Sequence, residues 1–105
     1  VSFSIEVDEQ VAERLRAIPA RMAATVVEQI DRLGENPRLG VRIANGPLEG
    51  RMLYAFVVES DPRVYRLGVL YLFMDNEVSI FISELGILRS DGSRLHLAEF
   101  WPPPE

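Results

Sequence analysis

Val64-Tyr65-Arg66-Leu67-Gly68-Val69-Leu70-Tyr71-Leu72-Phe73, then a Met74-Asp75-Asn76-Glu77 break, then Val78-Ser79-Ile80-Phe81-Ile82-Ser83-Glu84-Leu85: this stretch decides the fold. Two runs so rich in β-branched and aromatic residues, joined at Asp75-Asn76, predict a β-hairpin at the centre of a sheet. A third run, Arg51 to Glu59, precedes them and connects through the turn Ser60-Asp61-Pro62-Arg63. The expectation is an antiparallel meander.

Side chains alternate across a strand, so each face can be read from the sequence. With a two-residue loop at Asp75-Asn76, one face carries Met52, Tyr54, Phe56, Val58, Tyr65, Leu67, Val69, Tyr71, Phe73, Val78, Ile80 and Ile82. It is apolar and must be covered. The opposite face carries Arg51, Leu53, Ala55, Val57, Glu59, Val64, Arg66, Gly68, Leu70, Leu72, Ser79, Phe81, Ser83 and Leu85. It sets one arginine inside an apolar strand, and a function belongs there. A one-residue error in either loop would exchange the faces.

Outward from the sheet, Ser2 to Val7 alternates as a half-buried strand, with Phe3, Ile5 and Val7 on one side. Asp8 offers a helix N-cap and Glu9 suits the positive end of the helix dipole. Val11, Ala12, Leu15 and Ile18 then predict a first helix over Glu9 to Ala17. Pro19 breaks the pattern or opens a second helix. From Ala20, Met22, Val26, Ile30 and Leu33 form one stripe supported by Ala23 and Val27, and Gly34 is the expected stop. The two helices make an αα-hairpin whose apolar stripes need the apolar sheet face.

Glu35 to Gly50 holds Asn36-Pro37, Gly40, Asn45-Gly46-Pro47 and Gly50, and reads as a loop. After the sheet, Ser90-Asp91-Gly92-Ser93 is a turn, and Leu95 to Trp101 a last strand or helical turn. Residues 1–101 form a single domain, and the Pro102-Pro103-Pro104 end is expected to fray. No internal repeat is visible.

The composition narrows the function. With 48% hydrophobic residues, 105 residues suffice for one small core. No run approaches the roughly 18 apolar residues of a membrane helix, and no charged-then-apolar leader precedes the first strand, so a cytoplasmic protein without membrane contact is expected. The absence of cysteine removes disulfides and thiolate chemistry, and a lone His96 removes a histidine metal cluster, so neither metal nor cofactor is expected. Net charge is −5, yet all 11 basic residues are arginine. An acidic chain repels nucleic acid unless its arginines cluster. Arginine in place of lysine suits bidentate phosphate contacts, or reflects codon composition.

The order β-α-α-β-β-β, the Asn36-Pro37 loop after the second helix, Leu48-x-Gly50 before the sheet and the Tyr65-Arg66-Leu67 strand together resemble the RelE/ParE toxin superfamily. These are the small toxins of bacterial toxin–antitoxin pairs. The resemblance covers about residues 2 to 89. It implies an α+β fold, a twisted antiparallel sheet with the αα-hairpin packed on one face and a concave opposite face. In the RelE-like branch that face receives messenger RNA on the ribosome. Arg66 matches the family's arginine on the central strand, where its planar fork would hold the scissile phosphate and stabilise the charge growing on it. Arg89 lies within a residue of a late family arginine, so Arg66 and Arg89 are the candidate catalytic pair. Arg51 falls where the family carries basic residues on the preceding strand, and with Ser79 and Ser83 completes a candidate substrate-binding set.

The chain also departs from the family. The lysines that many active members use on the second strand are absent, and Met52, Tyr54 and Phe56 cannot replace their charge. The family's C-terminal tyrosine has no counterpart. His96 alone has a suitable pKa range for acid–base work, yet it stands among Leu95, Leu97 and Ala98. Arg66 itself has a second reading as a cross-strand partner of Glu59.

Three functions follow from the resemblance. One is a toxin that cuts mRNA and is silenced by a cognate antitoxin. Another is a gyrase-directed toxin of the ParE type, without chemistry of its own. The third is an inactive relative kept as a scaffold for homodimer or heterodimer assembly. Leu53, Leu70, Leu72 and Phe81 on a helix-free face would form a patch that soluble monomers rarely expose, so Phe100 and Trp101 or a partner should cover it.

Overall fold

Asp8 opens the helical layer. Its carboxylate accepts from the Gln10 N–H at 3.0 Å, capping α1 (Glu9–Ala17), and after Pro19 the chain re-enters α2 (Ala20–Glu35). The computed structural model describes residues 3–44, 46, 48–60, 63–74, 79–91 and 94–98, with the backbone alone at 60, 63, 74, 89–91 and 94–98. Among them the strands are β1 (Ser4–Val7), β2 (Val41–Arg42), β3 (Met52–Ser60), β4 (Arg63–Met74), β5 (Ser79–Asp91) and β6 (Arg94–Ala98). They make one sheet in the order β1-β5-β4-β3-β2, with β6 also on β5.

The β3-β4-β5 meander is antiparallel as expected, whereas β1 joins β5 in parallel, so the whole sheet is mixed. β1 flanks the first part of β5, Ser79–Ile82, and β6 flanks the last, Ile87–Asp91. One long strand thus carries two short ones on the same edge. At the other edge, β2 pairs only with Met52 and Leu53 of β3.

Both helices lie on one sheet face. Val11, Ile18, Met22, Val26, Ile30 and Leu33 bury their side chains against Met52, Phe56, Val58, Leu67, Val69, Tyr71, Ile80 and Ile82. A fully buried side chain of this kind contributes roughly 1.5–3 kcal/mol over its exposed state. The apolar face read from alternation is therefore the covered one. Val27, read as supporting the helix stripe, is instead 44% exposed.

The hairpin loop differs from expectation without disturbing that reading. Met74 pairs with Ser79, leaving four residues between them rather than two. A shift of two preserves which face each side chain takes. Val78 and the Asp75-Asn76 loop fall outside the described residues.

Farther along β5 the faces do change. Leu70 stands opposite Glu84 but Tyr71 opposite Ile82, so Ser83 is an extra residue in the ladder, a β-bulge. Beyond it the parity flips. Leu85, expected on the open face, packs into the helix-covered core with Ile87 beside it. The Ser83 carbonyl that the bulge frees accepts from Gln10 Nε2 of α1 at 2.8 Å, and the Asp8 N–H takes the Ile82 carbonyl at 2.9 Å. The helix start is thereby tied to the irregular turn of the strand.

Two further differences concern breakers. Gly34 does not stop α2 but lies inside its last turn, buried, its carbonyl accepting from the Phe3 N–H at 2.7 Å. A Cβ there would lie 2.8 Å from Ile5 Cδ1, so glycine permits β1 to pass close to the helix. The expected loop after α2 contains a 3-10 turn at Pro37–Leu39, capped by Asn36, and then β2. The expected turn near Ser90 is narrower as well, because β5 continues to Asp91 before β6 returns.

Candidate functional site on the open sheet face

The face away from the helices carries Leu53, Ala55, Val57 and Glu59 of β3 and Val64, Arg66, Gly68, Leu70 and Leu72 of β4. From β5 it takes Phe81 before the bulge and Glu84, Gly86 and Leu88 after it. Arg66 stands opposite Val57 and is exposed, on the face that its alternation with buried Leu67 dictates. Val57 and Val64 are 56% and 64% exposed beside it.

Glu59 sits diagonally across the ladder from Arg66. Among the described residues no ion pair joins Arg66 to Glu59, so this cross-strand contact is not made. The Arg66 guanidinium faces water and can offer its two-point donor fork to an anion without first breaking a salt bridge.

The other candidates lie apart from it. Ser79 pairs with Met74, eight positions along β4 from Arg66, or about 26 Å at the usual strand rise. Arg51 precedes β3, six positions from Val57, or about 20 Å from Arg66 by the same rise. No single phosphate spans these gaps. Ser83 is committed locally, its hydroxyl donating to the Leu70 carbonyl at 3.2 Å within the bulge. Arg89 and His96 stand opposite one another in the β5–β6 ladder, on the strands beyond the last β4–β5 pair, Leu67–Ile87. Their side chains lie outside the described residues.

The apolar part of this face is divided. Leu53, Leu70 and Leu88 are buried in a second small cluster against Ile43 and Leu48, which the segment around β2 brings over the sheet. Neither of these two covering residues was foreseen in the sequence. The signal was available: apolar residues at 43 and 48 flank Asn45-Gly46-Pro47, as in a turn folded onto something apolar. Leu72 and Phe81, which are cross-strand partners, remain 41% and 38% exposed. Among the described residues, the face offers the solvent-facing Arg66 guanidinium, carboxylates at Glu59 and Glu84, and an apolar shelf. Among the described residues no group of three metal-ligating side chains forms, and no helix is long and apolar enough to cross a membrane.

No protein-family model matches the sequence, and no curated protein does. Solved structures do match. The toxin–antitoxin complex RelBE2 from Mycobacterium tuberculosis superposes with a TM-score of 0.65 at 21% identity, over 83% of this chain and 99% of the other. A mutant of the E. coli toxin RelE in the free state gives 0.59 at 16% identity, over 83% of this chain and 84% of that one. The chain has the RelE fold.

Because that second structure is the toxin by itself, the likeness is to the toxin subunit. The intact E. coli RelBE toxin–antitoxin complex matches as well, with a TM-score of 0.61 at 14% identity, over 85% of this chain and all of that one. The RelE fold accounts for the order of elements, two helices on one face and an open face opposite. At such identities it transfers no side chain, so Arg66 has to be argued from its own surroundings.

Proposed function

We propose that this chain is the toxin subunit of a toxin–antitoxin module and that its open sheet face is the working surface, shared by a target and a cognate antitoxin. The observation that carries this reading is the exposed Arg66 on that face of a RelE fold, with a bare apolar shelf at Leu72 and Phe81. Within it, mRNA on the ribosome is the target, and Arg66 grips the phosphate at the cleavage point. A guanidinium aimed at developing phosphate charge stabilises the transition state without moving a proton. Arg51, Ser79 and Ser83 remain part of the proposal as contacts along the RNA strand, while Arg89 and His96, which share the register parity of Ile87 beyond the bulge, are kept in it as a catalytic arginine and an acid–base group reached around the sheet edge rather than on the open face.

The test is inducible expression of the chain alone and together with any small reading frame found adjacent to its gene. Growth arrest on expression alone, rescue by the neighbour and loss of arrest in Arg66→Ala support the reading. Soluble, folded protein with unchanged growth removes it. Cleaved mRNA in translating ribosomes separates the ribonuclease from other toxins.

A second reading has its own support. The distances of about 20 Å and 26 Å that set Arg51 and Ser79 apart from Arg66 favour a binding surface over a reaction centre. In that case the protein acts without chemistry, on gyrase or as a dimerising scaffold. Blocked supercoiling with intact mRNA marks the first, and a stable homodimer without growth phenotype the second.

A further inference from the structure

β3 has a bare edge. β2 pairs only with Met52 and Leu53, so among the described residues no strand lies beside Tyr54 to Ser60 on the side away from β4. The Ile43 N–H donates to the Arg51 carbonyl at 2.8 Å, so Arg51 turns its backbone groups toward β2. That direction alternates along a strand, and Ala55, Val57 and Glu59 therefore present their N–H and C=O groups to the bare edge. Edges are usually blunted by lysine, proline or a bulge. Here the run is Tyr54-Ala55-Phe56-Val57-Val58, regular in its pairing with β4 and uncharged, with Val57 56% exposed.

The strand is its own complement. The bare stretch is centred on Val57, and a two-fold axis there sets Val57 against Val57 of a second copy and Ala55 against Glu59, so every outward-facing residue finds a partner. Moving the axis toward Ala55 drives the second strand into β2. Moving it toward Glu59 leaves Ala55 unmatched and brings two carboxylates together.

We infer that β3 pairs with β3 of a second copy about Val57, and that the joined sheet makes one anion-binding face from two copies of Arg66. An axis perpendicular to the sheet keeps both open faces on the same side. Arg66 stands opposite Val57, so the central row reads Arg66, Val57, Val57, Arg66, and the two arginines lie three strand spacings, about 14 Å, apart. That is closer than Arg51 of the same chain, about 20 Å away. A single-stranded polyanion can bridge the pair. The shared face rests on the reading of Arg66 as a phosphate contact, whereas the strand pairing does not.

The chain has no cysteine, so one introduced thiol reports its neighbour. A hydrogen-bonded antiparallel pair sets its Cα atoms about 5.5 Å apart, within the span of a disulfide. Val57→Cys should cross-link to a dimer under mild oxidation. Glu59→Cys, displaced about 13 Å along the strand from its symmetry mate, should not. In sedimentation equilibrium the unmodified chain should dimerise and Val57→Pro should be monomeric with native circular dichroism, because the N–H it removes faces away from β4. Should the proline variant misfold, Val57→Lys, which sets two ammonium groups on the axis, should give the same monomer. Labelled oligouridylate should bind the cross-linked dimer roughly tenfold or more tighter than the monomeric variant, and Arg66→Ala in that dimer should abolish the gain.

A monomer at all concentrations, or equal cross-linking at Glu59→Cys and Val57→Cys, overturns the pairing. Equal RNA binding by monomer and dimer overturns the shared face. Growth assays report on the toxin reading and cross-linking on the strand pairing, so either can fail without the other.

Discussion

The Tyr71 hydroxyl donates to the Pro37 carbonyl at 2.6 Å, fastening the central strand to the turn that follows α2. The same oxygen accepts from the Gly40 N–H at 3.1 Å, so one buried tyrosine satisfies both ends of the 3-10 turn. Tyr71→Phe leaves that carbonyl and that N–H without their partner inside the protein. A loss of about 1–3 kcal/mol in unfolding free energy is expected, read as a lower urea midpoint at unchanged m-value.

Tyr71 also sets a pH limit. Burial raises its pKa above the ordinary value of 10.0; the Gly40 hydrogen bond opposes the rise and the nearby Tyr54 adds to it. The folded state therefore holds its proton where the unfolded chain has lost it. The contribution is complete below about pH 10 and disappears as pH climbs through the folded pKa. Denaturation followed at alkaline pH should show this falling stability, and Tyr71→Phe should flatten it.

Gly40 has a steric reason of its own. A Cβ at that position would lie 2.5 Å from the Tyr71 hydroxyl oxygen and 2.7 Å from the Leu53 carbonyl oxygen, at a backbone conformation open to any residue. Gly40→Ala must push the turn off the sheet. A cost of about 1–3 kcal/mol, typical of overpacking, is expected in thermal or urea unfolding.

The bulge at Ser83 depends on α1. Gln10→Ala removes the Nε2 donor that meets the Ser83 carbonyl and should lower stability by about 0.5–1.5 kcal/mol. Hydrogen exchange should localise the loosening to Ile82–Glu84 and the start of α1. Uniform loosening across the sheet would contradict this account.

Arg66 makes the opposite prediction. It is exposed and outside any ion pair among the described residues, so Arg66→Ala should change stability by less than about 0.5 kcal/mol. If its fork holds phosphate, Arg66→Lys fails to restore growth arrest, because an ammonium lacks the bidentate geometry. Full arrest by the lysine variant would mean that charge alone suffices.

What the sequence determined by itself was the layering. Alternation from Met52 to Val58 and from Tyr65 to Phe73, with the stripe Met22-Val26-Ile30-Leu33, fixed which sheet face the helices cover and put Arg66 on the other. That reading survived a hairpin loop of the wrong length because a two-residue slip leaves parity untouched. Tertiary structure alone decided the rest. The bulge at Ser83 moved Leu85 into the core, although the widening of apolar spacing between Ile82 and Leu85 was its trace in the sequence. Gly34 looked like a helix stop and is a point of close approach, since only the packing of Ile5 against it distinguishes the two. The separation of Arg51 and Ser79 from Arg66 was implied by the two turns read from the sequence, and the structure lengthened it at Ser79 by two rungs. Periodicity tells which way a side chain faces, but how far apart two such side chains stand depends on strand register, which is set by contacts between distant segments.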